Sequence, residues 1–218
     1  MQKIITADNT ESFFNEKIQE SYHSYKGAVE EALQKYVIPC KIKELAKTGK
    51  LRILDVCFGL GYNSAKAIDA AWEENPHCQI EVVGLEYDPE IISRIQEVQP
   101  PMKCYMLYKR LSIKKLIITD KNLSLHLLLG NARETIKTLP ENHFDAVFFD
   151  PFSPASSPEM WQESFFKEVF LVMKPTAIMA TYSCARMARD NMAKAGLVYD
   201  DGPIWGRRGP GTIAMKWV

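Results

Sequence analysis

The sequence lacks net charge. Its 27 Lys and Arg residues balance its 27 Asp and Glu residues, so no whole-molecule field draws in phosphates or an anionic surface. Long apolar runs are missing too, since every hydrophobic stretch falls far short of the roughly 20 residues a membrane helix needs. The N-terminal MQKIITADNT has no apolar core of a secretion signal. No membrane partner is expected, and the expected location is cytoplasmic. The five cysteines, Cys40, Cys57, Cys78, Cys104 and Cys184, form no C-x-x-C pair and no Cys/His spacing suited to zinc. They fit a reducing compartment, and no metal is expected. Internal repeats and low-complexity tracts are absent as well. What these absences leave is an ordinary globular chain, 46% hydrophobic over 218 residues. A chain of that size buries about 70% of its unfolded surface without disulfides or a structural metal.

From Leu51 onward, short apolar runs alternate with amphipathic stretches, the pattern of βα units on a mostly parallel sheet. The runs predict strands over LRILDVCF (51–58), QIEVVGLEY (79–87), LSLHLLLG (123–130), FDAVFFD (144–150), TAIMATYS (176–183) and GTIAMKWV (211–218). Helical patterns cover 62–75, 89–97, 131–138, 159–173 and 185–197, the last closed by Gly196. DGPIWGRRGPG (201–211) reads as a turn. The expected fold is therefore α/β, a Rossmann-like, mostly parallel sheet with an antiparallel last strand. Residues 1–50 read as a helical cap, with a helix over 27–46 broken near Pro39, and 51–218 as one compact unit. A basic insertion at 100–116 carries Lys103, Lys109, Arg110, Lys114 and Lys115 interleaved with Tyr105 and Tyr108.

The first strand runs into Asp55-Val56-Cys57-Phe58-Gly59-Leu60-Gly61-Tyr62-Asn63, a glycine turn opening a helix at the carboxyl end of a strand. Glycines there let a ligand approach the backbone, and the helix start offers unpaired N–H groups. The second strand ends at Glu86, where a ribose would present its hydroxyls. Ser64 stands where an NAD site usually has its third glycine, which favours S-adenosylmethionine over NAD. Asn131, after the third strand, reads either as an adenine contact or as a helix N-cap. Asp150, in Asp150-Pro151-Phe152-Ser153-Pro154, closes the fourth strand at a rigid turn where its carboxylate would face a transferable group.

Taken together these residues resemble one family, the methyltransferase domain of the bifunctional tRNA 5-methylaminomethyl-2-thiouridine biosynthesis proteins (MnmC), including forms without the flavin domain. The likeness lies in Glu20-Ser21-Tyr22-His23-Ser24 with Gly27-Ala28-Val29-Glu30, in Phe58 to Asn63, and in Phe148-Phe149-Asp150-Pro151-Phe152-Ser153-Pro154-Ala155 with Pro158-Glu159-Met160-Trp161. It continues through Thr181-Tyr182-Ser183-Cys184-Ala185 and Gly206-Arg207-Arg208. The resemblance implies a seven-stranded methyltransferase fold, S-adenosyl-L-methionine as cofactor, and an aminomethyl group on a tRNA wobble uridine as acceptor. By position it assigns cofactor contacts to Phe58, Gly59, Gly61, Asn63, Glu86, Asn131, Ala132 and Asp150, with Asp150 beside the reacting amine. The sequence departs from the family at Asp8-Asn9-Thr10 (usually D-G-S), at Asn131 (usually an acid) and at Gly206-Arg207-Arg208-Gly209 (usually G-R-K-R). The flavin-dependent half has no counterpart in it, so a separate flavin oxidoreductase is an expected partner.

Methyl transfer to an amine needs a neutral nitrogen lone pair in line with the sulfonium, and positioning supplies most of the rate. Asp150 is the candidate catalytic residue, as an orienter first and as a base second. On the acceptor side the candidates are Tyr22, His23, Phe152, Ser153, Tyr182, Arg207 and Arg208. For tRNA, the insertion at 103–115, Arg186, Arg189, Arg207 and Arg208 are expected to form a local basic rim. Other readings stand beside this one: a methyltransferase acting on a small amine or a protein, an NAD(P)-dependent oxidoreductase, or a non-catalytic nucleoside-binding subunit.

Overall fold

The structure is a computed structural model that describes residues 1–206 and 208–216 of the chain. Residues 2–21 form a small antiparallel sheet, β1 (Gln2–Ile5), β2 (Glu11–Asn15) and β3 (Glu20–Ser21), in that spatial order. The cap is therefore half sheet, a correction to the all-helical expectation. β1 is almost wholly exposed and only β2 turns Ser12, Phe13 and Asn15 inward, so no apolar period marks the segment. A helical stretch follows, α1 (Ala28–Ala32), a π-helical turn (Leu33–Val37) and α2 (Ile42–Ala46).

The rest alternates as expected: β4 (Lys50–Val56), α3 (Tyr62–Glu74), β5 (Gln79–Glu86), α4 (Pro89–Arg94), α5 (Tyr105–Tyr108), β6 (Ile117–Asp120), β7 (Leu123–Leu129), α6 (Ala132–Thr135), β8 (Phe144–Phe149), α7 (Glu163–Val172), β9 (Met173–Thr181), α8 (Arg186–Lys194), β10 (Leu197–Asp201) and β11 (Thr212–Lys216). The large sheet has the order β10-β11-β9-β8-β4-β5-β7-β6. Strands β9, β8, β4, β5 and β7 are parallel. Antiparallel pairing is not confined to the last strand, because β6 pairs antiparallel to β7 and β10 to β11. The sheet thus has eight strands rather than seven, with β6 added at the edge beyond the insertion. The helix expected over 185–197 stops at Lys194; Gly196, at φ 94, breaks it in the left-handed region that glycine enters freely. Of the last expected strand, Trp217 and Val218 lie outside the described residues.

The inner strands bury both faces, so alternate residues serve two cores. Ile53, Val82, Leu125 and Phe148 pack with α1, α3 and the insertion, and Leu54, Val83, Val147 and Phe149 pack with α7 and α8. The chain leaves β4 for β5 on one side and returns to β8 on the other. The switch point therefore falls between β4 and β8, and the crevice outside their carboxyl ends is where such sheets bind ligands. Among the described residues no helix is long and apolar enough to cross a membrane.

Candidate active site

Beyond β4 the backbone turns through Cys57 (φ 64), Gly59 (φ 55) and Gly61 (φ 74) before α3 begins. Gly61 cannot be replaced in this geometry, since a Cβ there would lie 2.5 Å from the Phe58 ring and 2.6 Å from Tyr108. Cys57 adopts the left-handed region without glycine's freedom, which costs about 1 kcal/mol or more. The insertion supports this turn from beneath. Tyr108 stacks on Phe58 at 5.8 Å and donates to Ser64 Oγ at 2.9 Å, and Tyr105 donates to the Leu60 carbonyl at 2.8 Å.

A cavity of about 1110 Å³ opens above the turn. On one side Glu86 closes β5, and its carboxylate accepts from the N–H groups of Gly59 at 2.7 Å and of Tyr87 and Asp88 at 2.8 Å each. Burial raises its pKa against those bonds. Beneath the turn, buried Asp55 accepts from Ser64 N–H at 3.2 Å, while its other oxygen has no partner among the described atoms. Burial pushes its carboxyl up to about 7. Asn131 and Ala132 line the same end, and Asn131 caps α6 by accepting from Arg133 N–H.

Asp150 lies opposite, half-buried at the end of β8. Its oxygens accept from Tyr36 at 2.5 Å and from Asn63 Nδ2 at 2.8 Å. Burial first, then Glu31, push its carboxyl up to about 6, against the hydrogen bonds from Tyr36 and Asn63 and the charge of Lys35. Phe152 meets Tyr22 edge-on at 5.1 Å, and Tyr22 packs against Gly59, so these rings span from the glycine turn to the Asp150 loop. Tyr182 lines the wall and donates to the Pro151 carbonyl at 2.9 Å. Trp161, fully buried, donates to the Phe152 carbonyl at 2.9 Å and anchors the loop from behind.

The remaining candidates are less central. His23 bonds Ser12 at 2.7 Å and stacks on Tyr62; burial pushes its pKa down to about 4, so it is neutral at physiological pH. Ser153 turns to Glu20, which accepts from its N–H at 3.1 Å and from the hydroxyls of Ser153 and Ser156. Arg207 lies outside the described residues; Gly206 lines the cavity and Arg208 is exposed. No residue of 100–116 lines the cavity; Tyr105 and Tyr108 are core, and Arg110 pairs with Asp120. Arg189 is tied to Thr212, Asp201 and Gly211. Among the described residues the lining lysines are Lys17 and Lys26, set against Glu20, Glu31, Glu86, Asp88, Asp150 and Glu159. The sequence reading missed Glu31, Lys35 and Tyr36. The one signal for them was a lysine and a tyrosine within the apolar stretch of the cap helix.

An acid-lined cavity with a glycine turn and a carboxylate closing β5 fits a cationic, phosphate-free nucleoside cofactor, and comparison with known proteins agrees. The family described as S-adenosyl-L-methionine-dependent methyltransferase matches residues 94–217. The crystal structure of MnmC2 from Aquifex aeolicus superposes with a TM-score of 0.87 at 32% identity, covering 98% of this chain and 70% of that one. An uncharacterized protein of Methanocaldococcus jannaschii is 30% identical over 97% of this chain and 58% of its own length. The tRNA 5-methylaminomethyl-2-thiouridine biosynthesis bifunctional protein MnmC of Ralstonia nicotianae is 28% identical over 74% of this chain. The chain spans only 26% of that bifunctional relative.

Proposed function

The chain belongs to the S-adenosyl-L-methionine-dependent methyltransferase family, and on that ground we propose that it methylates the primary amine of a 5-aminomethyl group on a tRNA wobble uridine. The observation that carries the reading is the charge of the cavity: among the described residues, six carboxylates and two lysines line a pocket whose far wall presents Asp150. Such a lining suits a sulfonium and an arriving ammonium and disfavours a phosphate or an acid. Its volume of about 1110 Å³ exceeds the 300–1,000 Å³ usual for one small ligand, leaving room for an extruded nucleotide beside the cofactor. The names of the MnmC relatives support the same acceptor. The aminomethyl precursor would come from another activity, of the flavin-oxidoreductase class that the resemblance implies.

When bound, S-adenosyl-L-methionine supplies an electrophilic methyl group. Phe58, Gly59 and Asn63 would hold its amino-acid end, Glu86 its ribose, and Asn131 and Ala132 its adenine; Gly61 does not line the cavity, and its missing side chain makes room for Phe58 and Tyr108 instead. A primary alkylamine, like lysine, is protonated at neutral pH, so one proton must leave before the nitrogen attacks. Asp150 accepts an amine N–H, directs the lone pair towards the methyl, and takes or relays that proton. Transfer of the methyl from sulfur to that nitrogen would leave a secondary ammonium and a neutral thioether. Tyr22, Phe152 and Tyr182 keep water from the reacting atoms.

Transfer of a labelled methyl group tests this directly, using tRNA with and without the 5-aminomethyl group and with small amines and protein as controls. Label is expected only in the aminomethylated tRNA. Equal label in the unmodified tRNA, or label in the controls alone, overturns the acceptor assignment.

A further inference from the structure

Asp150 is gripped by two donors from distant parts of the chain. Asn63 reaches its Oδ2 from the first turn of α3, and Tyr36 reaches its Oδ1 from 114 residues away in sequence. Tyr36 sits in the π-helical turn Leu33–Val37, where the Ile38 N–H reaches back five residues to the Leu33 carbonyl. In an α-helix consecutive side chains diverge by about 100°, so neighbours do not share one face. In this turn Lys35 and Tyr36 are consecutive and both are buried. Lys35 is 2% exposed, paired with Glu31 at 2.9 Å, with its ammonium 5.8 Å from the ring centroids of Tyr182 and Trp205. Tyr36 is fully buried, its ring against Phe148 at 5.7 Å. π-turns of this kind recur at functional sites.

We propose that Tyr36 is a positioning residue for methyl transfer: its phenol fixes the Asp150 carboxylate and holds it in the acceptor state that receives the amine. Each carboxylate oxygen can accept two hydrogen bonds. Tyr36 and Asn63 take one on each oxygen, which fixes the plane of the group and leaves a second lone pair on each for the substrate. Burial and the nearby acids keep the phenol protonated, so it acts as a donor throughout the working pH range. The titratable groups facing Asp150 are Glu31, Lys35 and Tyr36 from the first helical segment, Asp55 and Cys57 from the end of β4, with Glu86 beyond them. Glu31, Asp55 and Glu86, where ionised, favour the protonated carboxyl; Tyr36, Asn63 and Lys35 oppose them.

The inference rests on the reading that Asp150 receives the amine, and its test separates the two. In Tyr36→Phe, which keeps the ring against Phe148, loss of a hydrogen bond to a charged group should move the acid limb of the pH–rate profile up by about one pH unit. Turnover should be about two-fold lower at pH 7 and about five-fold lower at pH 6, and recover at higher pH, with the KM for S-adenosyl-L-methionine unchanged at pH 8, where the carboxyl is ionised in both. A uniform loss at every pH, or no movement of the limb, overturns the proposal. The carboxyl resonance of Asp150, titrated in wild type and in Tyr36→Phe, reads the same shift without turnover, and an unchanged titration also overturns it. Should the wild type methylate no aminomethylated tRNA, the acceptor assignment falls while this titration still decides the role of Tyr36. Substituting 3,5-difluorotyrosine at position 36, a stronger donor of nearly the same shape, should move both readings the opposite way even if the Phe variant folds poorly.

Discussion

At Asp150 opposing effects set the pH at which the site works. Burial and Glu31 raise its pKa to about 6, while Tyr36, Asn63 and Lys35 restrain the rise. Above that pH the carboxylate can accept an amine N–H; below it the group is protonated and that acceptor is lost. The kcat/KM for S-adenosyl-L-methionine, which reports the carboxyl of the unliganded chain, should therefore fall as pH drops through about 6, and a profile flat down to pH 5 would contradict the assigned role. Asp150→Asn should lower turnover by roughly 10²–10⁴-fold, the usual worth of a proton-transfer group, while calorimetry shows cofactor affinity within a few-fold of wild type. Glu86 contributes differently, because its three backbone N–H bonds shape the turn as well as fixing the carboxylate proposed to meet the ribose. Glu86→Ala should weaken S-adenosyl-L-methionine binding by roughly 10-fold or more, given 1.5–3 kcal/mol for a charged hydrogen bond. Unchanged affinity in a calorimetric titration would place the ribose elsewhere. Asp150, Glu86 and the glycines were legible in the sequence because each ends a strand with an apolar run before it. Tyr36, Lys35 and Glu31 were not, because only the π-turn and the fold bring them to a strand end more than a hundred residues away.

Among the elements, those buried on both faces are the ones the sequence announces. β4, β5, β8 and β9 lie inside the sheet and read as apolar runs. The edge strands β6 and β10 each bury one residue, and the cap strand β1 none, so neither alternation nor a run marks them. The tie between the cap sheet and the active-site loop was equally hidden, since it joins residues 133 and 136 positions apart. Glu20, closing the cap at β3, accepts from the Ser153 N–H and from both serine hydroxyls, and so holds the loop that carries Asp150 and Phe152. Glu20→Ala should release that loop. The expected signs are faster amide exchange over residues 150–157 and a kcat/KM for the acceptor roughly 10-fold lower, with cofactor affinity little changed. Protection equal to wild type over those residues would show that Trp161 and Tyr182 hold the loop without Glu20.

On the scale of the whole molecule, zero net charge conceals an uneven distribution, with acids gathered in the cavity. No residue of the insertion lines the cavity, and its tyrosines hold up the glycine turn. Phosphate contacts would then fall to Lys17 and Lys26 at the cavity and Arg208 nearby, and about three contacts imply a shallow salt slope for tRNA binding, near −2 to −3 in log affinity against log salt. A slope near zero would mean that backbone phosphates do not contribute. The cavity acids also link cofactor charge to pH. Asp55, at about 7, and Asp150, at about 6, bind protons in the folded chain at pH values where the unfolded carboxyls, near 3.9, have lost them. Stability without cofactor therefore declines as pH rises from about 4 through 7. A bound sulfonium reverses this, because its positive charge favours the ionised carboxylates and expels their protons. Affinity for S-adenosyl-L-methionine should accordingly rise between pH 5.5 and 8, and its thermal stabilisation should be larger at pH 8. S-adenosylhomocysteine has the same shape and a neutral sulfur, so its affinity should change much less over that range. Calorimetry of both ligands at the two pH values, in buffers of different ionisation enthalpy, measures the protons released; parallel pH dependence for the pair would show that the carboxylates do not face the sulfonium.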